Sequence, residues 1–158
     1  MKHANRHEVA EKVFWSIALP GFGQLLNGKL FKGFLFIALE ILVNVQANFN
    51  QIIILSFNRK IRESIEQTNY QWLMFYPCIY MFAIWDAYKD AGGGKDRYSF
   101  LPFVFGAYFV TLGLIYSPCL KVFGVLLGPM WLPMLSLPIG LALGVMIKKI
   151  VERFINST

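Results

Sequence analysis

The sequence predicts an all-α polytopic membrane protein with four transmembrane helices and a short N-terminal helix that is re-entrant or lies at the membrane interface. Of the 158 residues, 56% are hydrophobic and only 15% are charged, whereas a soluble domain has about 25% charged residues. A chain of this length must cover its core with polar side chains. The composition therefore argues against a soluble enzyme and against a disordered chain.

Four apolar stretches account for the predicted spans. They comprise residues 33–57, 70–85, 99–120 and 122–147, and the second reaches a spanning length when the three residues after it are included. Each stretch approaches or exceeds the roughly 20 residues that a helix needs to cross the hydrocarbon core. Lipid offers no hydrogen-bond partners to an irregular backbone, so we expect all four to be helical.

The first apolar segment, residues 13–26, is short for a span. As a helix it would be about 21 Å long, and Pro20 interrupts it. If it does not cross, eleven of the fifteen Lys and Arg residues lie on one side of the membrane, and if it crosses the sides carry seven and eight. Cytoplasmic loops carry an excess of cations, which favours the first arrangement, in a cell (plasma) membrane with both termini cytoplasmic. The eleven residues are Lys2, Arg6, Lys12, Lys29, Lys32, Lys89, Lys95, Arg97, Lys148, Lys149 and Arg153.

The formal net charge of +6 resides in short gaps between the apolar runs. These cations indicate topology and contact with the lipid bilayer, and we expect no nucleic-acid partner. In the gap 58–69, the spacing of Ile61 and Ile65 predicts a short amphipathic helix. Residues 117–121 are predicted to form a tight turn.

A glycine-rich string interrupts the first apolar segment and precedes the second. Together with a Trp-Asp pair at the end of the 70–85 stretch, it resembles the TM2-domain family of small bacterial membrane proteins. The resemblance covers about residues 13–91 of a single integral membrane domain, 1–158, and the hairpin 99–147 is additional to it. The matching residues are Pro20, Gly21, Gly23, Gln24, Gly28, Gly33, Trp85 and Asp86.

The resemblance implies a compact unit in which Asp86 faces the glycine turn. There Asp86 would accept hydrogen bonds from N–H groups of the turn or pair with Lys29 or Lys32. The alternative is that Asp86 is an ordinary residue at a helix end. The chain departs from the family at Leu26, where the family often has Tyr, and in a longer loop between the two helices. The family has no established common reaction, so the resemblance implies a fold and not an activity.

Glu40 is the one ionisable residue deep within a predicted span, and a charge there costs about 2.5–3.5 kcal/mol on insertion scales. In one continuous helix, Glu40, Asn44, Asn48 and Gln51 would form a polar stripe along a single face. Three interpretations stay open. The stripe could line a water-filled path, hydrogen-bond to another subunit, or satisfy a protonated Glu40 inside the bundle.

The last predicted span carries two GxxxG strings, Gly124–Gly128 and Gly140–Gly144. Small residues on one face let helices pack closely, so these glycines are expected to mediate helix packing. This stretch also contains three prolines, Pro129, Pro133 and Pro138, which are expected to kink the helix or break it near the middle.

These patterns favour a non-enzymatic membrane protein that acts through helix–helix contacts as an accessory or assembly factor. Its expected partners are another membrane protein or a second copy of the chain, through the Glu40 stripe and the glycine face. The alternative is a small transporter or channel subunit that uses Glu40 as its intramembrane ionisable group. The sequence predicts no catalytic residue, cofactor or metal site.

Overall fold

The computed structural model describes residues 6–156, so Lys2 of the charge count lies outside the described part of the chain. Within that part the chain forms nine helices and one small β-hairpin, which confirms the all-α class. The N-terminal half contains α1 Arg6–Ala18, α2 Phe22–Leu26, α3 Leu30–Gln46, α4 Phe49–Phe57, α5 Ile61–Gln67 and α6 Tyr70–Leu73. The C-terminal half contains α7 Tyr76–Asp90, α8 Leu101–Tyr116, β1 Lys121–Val122, β2 Val125–Leu126 and α9 Gly128–Asn156.

The prediction of four transmembrane helices is wrong. Within residues 6–156, one helix is long and apolar enough to cross a membrane, at Gly128–Ile155. α3 and α4 pass the same criterion only if they are counted as one span, although they are bent by 62°. α7 and α8 contain 15 and 16 residues, which leaves both below the length of a span.

Two local breaks explain the error. The apolar stretch 33–57 is divided where Asn48 adopts a left-handed conformation, with φ 57°. Asn tolerates that conformation better than most residues with a side chain. The stretch 70–85 is divided between α6 and α7, and Pro77 lies in the first turn of α7, where a missing N–H costs no helical hydrogen bond.

The last helix also begins later than predicted. Residues 121–126 form the β-hairpin, in which Val122 pairs with Val125. Both turn residues have positive φ, 49° at Phe123 and 82° at Gly124. α9 therefore starts at Gly128 and not near residue 122. It then continues as one helix past Pro133 and Pro138, so neither proline breaks it.

α8 and α9 pack as an antiparallel pair through close approaches at glycines. A Cβ added to Gly140 would lie 2.5 Å from the Phe105 carbonyl oxygen, and one added to Gly144 would lie 2.5 Å from Pro102 Cα. On the other helix, Gly113 has the same relation to Pro133. The small residues thus bring the two backbones together.

The predicted helix in the 58–69 gap is confirmed as α5. Its Ser64 is fully buried, and the Ser64 and Ser56 hydroxyl oxygens lie 3.0 Å apart in a hydrogen bond. Ile61 lies against Gly128 at the start of α9. α5 therefore joins α4 to the beginning of the last helix.

Candidate functional site

The glycine turn between α1 and α3 is where four helices meet. Gly21 has φ 109°, and a Cβ there would lie 2.5 Å from the Gly33 carbonyl oxygen of α3. At Gly23, a Cβ would lie 2.0 Å from Ser16 Oγ of α1 and 2.8 Å from Ala87 Cβ of α7. Both positions require glycine because neighbouring backbone and side chains occupy the space that a side chain would need.

Two side-chain amides, one in α2 and one at the residue that follows it, hold this turn against α7. Gln24, which is fully buried, donates from Nε2 to the Ala83 carbonyl oxygen at 2.7 Å. Asn27 donates from Nδ2 to the Ala87 carbonyl oxygen at 2.9 Å. Because Asn27 caps the end of α2 three residues after Gln24, the two side chains lie on the same side of this turn. Their acceptors lie one turn apart on α7.

Asp86 lies next to this turn and binds a lysine of α3. Lys32 Nζ lies 2.6 Å from Asp86 Oδ1 and 3.1 Å from Asp90 Oδ2. Gln24 Nε2 also donates to Asp86 Oδ2, at 3.2 Å. Of the two lysines that the resemblance implied as partners, Lys32 makes the contact, and the donor from the turn is a side-chain amide and not a backbone N–H.

We call this set the polar junction. Two of its buried polar atoms, and the neighbouring Ser16 Oγ, have no hydrogen-bond partner among the described residues. They belong to the side chains that line the turn on the α1 and α2 side, and they make the junction a place where polar groups are concentrated inside an apolar fold. The junction comprises Gln24, Asn27, Lys32, Asp86 and Asp90, and the three atoms are Ser16 Oγ, Gln24 Oε1 and Asn27 Oδ1.

Glu40 lies inside the fold, on the face of α3 that packs against α7. Its side chain is 7% exposed, and its Oε1 accepts a hydrogen bond from the Tyr76 hydroxyl at 2.9 Å. Glu40 Oε2 has no partner among the described residues. Of the three interpretations of Glu40, this position agrees with a carboxyl group held inside the fold.

The predicted polar stripe is not one face, because α3 ends at Gln46. Asn44 donates to Asn50 Oδ1 at 3.4 Å. Asn48 caps the start of α4 and donates to the Gln67 carbonyl oxygen at 3.1 Å, while Gln51 is exposed on α4. The three amides therefore serve the bend between α3 and α4 or face outward, and they do not continue a path from Glu40.

Only two of the four glycines of the last predicted span lie at a helix–helix contact. Gly140 and Gly144 pack against α8 of the same chain. Gly124 lies in the exposed turn of the hairpin and Gly128 at the first position of α9. The first GxxxG string is therefore not a helical face. The second is buried against α8 of the same chain.

No known protein family, curated protein or solved structure matches the chain. The resemblance to the TM2-domain family thus rests on the residues of the turn and of α7. Sequence reasoning missed Tyr76, Asn27 and Asp90. Helical spacing held the signal for two of them, since Asn27 is three residues after Gln24 and Asp90 is four after Asp86.

Proposed function

We propose that the chain is a non-enzymatic integral membrane protein of the cell membrane, similar over residues 13–91 to TM2-domain proteins, which acts through helix–helix contacts as an accessory or assembly factor. The observation that carries this proposal is an exposed apolar face of α3. Alternating intervals of three and four residues separate five of its positions, Phe31, Phe34, Ala38, Ile41 and Val45, as in the seam of a coiled coil. The α3 outer face comprises Phe31, Phe34, Leu35, Ala38, Ile41, Leu42 and Val45, all exposed.

This face lies opposite to the one that the polar stripe would have used. The opposite side of α3 packs within the chain, because its buried residues are Gly33, Phe36, Glu40 and Val43. On the outer side, Phe31 is 82% exposed and Val45 is 67% exposed. Soluble monomers rarely expose a continuous apolar patch of this kind without a membrane or protein partner.

The membrane location is supported by α9 and by the exposed apolar residues of α1, α8 and α9, among them Phe14, Val104 and Ile139. It is tested by cysteine labelling in a chain without the native Cys78 and Cys119. Single cysteines at Phe123 and at Arg153 stand at opposite ends of α9. We expect a membrane-impermeant maleimide to label one of them in intact cells and both after lysis. Labelling of both positions in intact cells would refute a span by α9.

The contact function is tested with a photoreactive amino acid at Ile41 on the α3 outer face. The matched control is Ile139 on α9, which has a similar exposure of 55% against 58%. We expect a discrete protein adduct from position 41 and only lipid adducts from position 139. Adducts with lipid alone at both positions would refute a protein contact at this face.

A second candidate function is a small transporter or channel subunit, and the observation that favours it is the buried Glu40 carboxyl with one oxygen unpartnered. An ionisable group inside a membrane domain commonly marks an ion or proton path. The test is proton and cation flux in reconstituted vesicles. Wild-type flux that is lost in the Glu40→Gln variant would support this function. Equal flux in the wild type and the variant, or wild-type flux no greater than in empty vesicles, would refute it.

A further inference from the structure

An apolar groove runs between α3 and α8, with α7 as its floor. Its volume is about 1060 Å³, just above the range of about 300–1,000 Å³ for small-molecule sites. Leu39 lines one wall, Ala107 and Val104 line the other, and Ile79 and Phe82 lie on the floor. The groove is open to the surface, and its lining residues Phe82, Val104 and Tyr108 are exposed.

One end of the groove is lined by aromatic side chains, and a lysine lies one helical turn beyond them. Trp85, Phe100 and Phe103 close that end, with 5.7 Å between the ring centroids of Trp85 and Phe103. Lys89 follows Trp85 by four residues and therefore lies one turn beyond it on the same face of α7. Lys89 is exposed and is not among the ion pairs found in residues 6–156.

We infer that this groove binds one chain of a phospholipid, with the lipid phosphate next to Lys89. A hydrocarbon chain satisfies a site whose walls are almost entirely apolar. Trp is favoured where an apolar environment meets water, and Lys at the same level attracts an anionic headgroup. Along its length the groove thus changes from apolar to cationic, as a phospholipid changes from its hydrocarbon chain to its phosphate. This inference rests on the proposed membrane location, but not on the proposed protein contact of α3.

The test uses the full chain reconstituted into bilayers that contain a trace of a phospholipid with a photoreactive group in its acyl chain. We expect adducts on the peptides that contain Val104, Ala107 and Phe82. Ala107→Phe fills the groove and is expected to lower this labelling about tenfold. The matched control is Ala142→Phe on the exposed side of α9, which should leave it unchanged.

The headgroup contact is tested separately with Lys89→Gln. In the wild type, the photoreactive phospholipid should label the groove more than a diacylglycerol with the same chains, and Lys89→Gln should abolish that preference. Should Ala107→Phe fail to fold, Leu39→Trp fills the groove from the opposite wall.

Unchanged labelling in the folded groove-filling variant would overturn the inference, as would equal labelling of the exposed α9 peptides and the groove peptides in the wild type. Alkaline extraction of the same vesicles separates the two proposals. A protein that is not retained refutes the membrane location and the lipid site together, whereas a retained protein without groove labelling refutes the lipid site alone.

Discussion

Gln24 and Asp86 are 62 positions apart in the chain and are joined by a side-chain hydrogen bond of 3.2 Å. The same amide nitrogen donates to the Ala83 carbonyl oxygen, and Lys32 binds the other oxygen of Asp86. A single carboxylate therefore fixes α2, α3 and α7 relative to one another. The polar junction thus joins three helices of the chain through side-chain contacts.

Asp86→Asn should destabilise the protein through loss of the charge-assisted contact with Lys32. Asp86 is only 13% exposed, and a hydrogen bond between charged groups contributes about 1.5–3 kcal/mol. For a chain of this size, each 1 kcal/mol lowers the Tm by about 2–4 °C, which a thermal scan in detergent measures.

The matched control is Asp96→Asn. Asp96 pairs with Lys148 at a similar distance, 2.8 Å, but is 69% exposed. An exposed pair contributes about 0–1 kcal/mol, so its Tm should fall little. Equal shifts for the two variants would show that the junction is no more stabilising than a surface ion pair.

Gly23→Ala should be among the most disruptive single-methyl substitutions in the chain. The added Cβ would lie 2.0 Å from Ser16 Oγ and 2.5 Å from the Lys12 carbonyl oxygen. Overpacking of this kind costs about 1–3 kcal/mol or more, and the expected readouts are a lower Tm and a smaller monodisperse fraction in size-exclusion chromatography.

Gly28→Ala should be destabilised by backbone strain alone, and it therefore serves as the comparison for the steric crowding in Gly23→Ala. Gly28 has φ 72° with nothing within 4 Å of an added Cβ, so the cost is that of the left-handed conformation alone, about 1–2 kcal/mol. Gly28→Asn should restore part of the loss, because Asn tolerates this conformation. A Gly23→Ala protein as stable as Gly28→Ala would contradict the close meeting of α1, α2 and α7.

The sequence was sufficient where a local rule governs the structure. Pro20 and Gly21 predicted the interruption between α1 and α2, and Ile61 and Ile65 predicted α5. The helical spacing of small residues also placed Gly140 and Gly144 at a helix contact. In each case the residues that carry the signal are within a few positions of one another.

The errors have one physical origin, which is that apolar composition does not report whether a helix is continuous. Asn48 reads as a polar residue in an apolar stretch, yet its left-handed backbone bends α3 from α4 by 62°. The bend removes Gln51 from the line of Glu40. The partner of Glu40 is Tyr76, 36 positions away, and a single sequence gives no signal for such a pair.

Gly140→Leu should separate α8 from α9. The substituted Cβ would meet the Phe105 carbonyl oxygen at 2.5 Å, and backbone cannot move aside as a flexible side chain can. We expect a loss of about 3 kcal/mol, measured as a lower Tm. Ala142→Leu, on the exposed side of the same helix, should leave the Tm unchanged, and a similar loss in both variants would contradict the assigned packing face.

Glu40 and Tyr76 should show energetic coupling in a double-mutant cycle. Tyr76→Phe removes the donor to Glu40 Oε1 and leaves the carboxyl, 7% exposed, without its partner. Glu40→Leu removes the acceptor and completes the cycle, whereas Glu40→Gln keeps an acceptor oxygen and should cost less. In membrane proteins such hydrogen bonds couple by about 0.6 kcal/mol on average and up to about 1.7 kcal/mol. Unfolding free energies of the four proteins of the cycle measure the coupling, and strict additivity would mean that Glu40 is held by the surrounding packing and not by Tyr76.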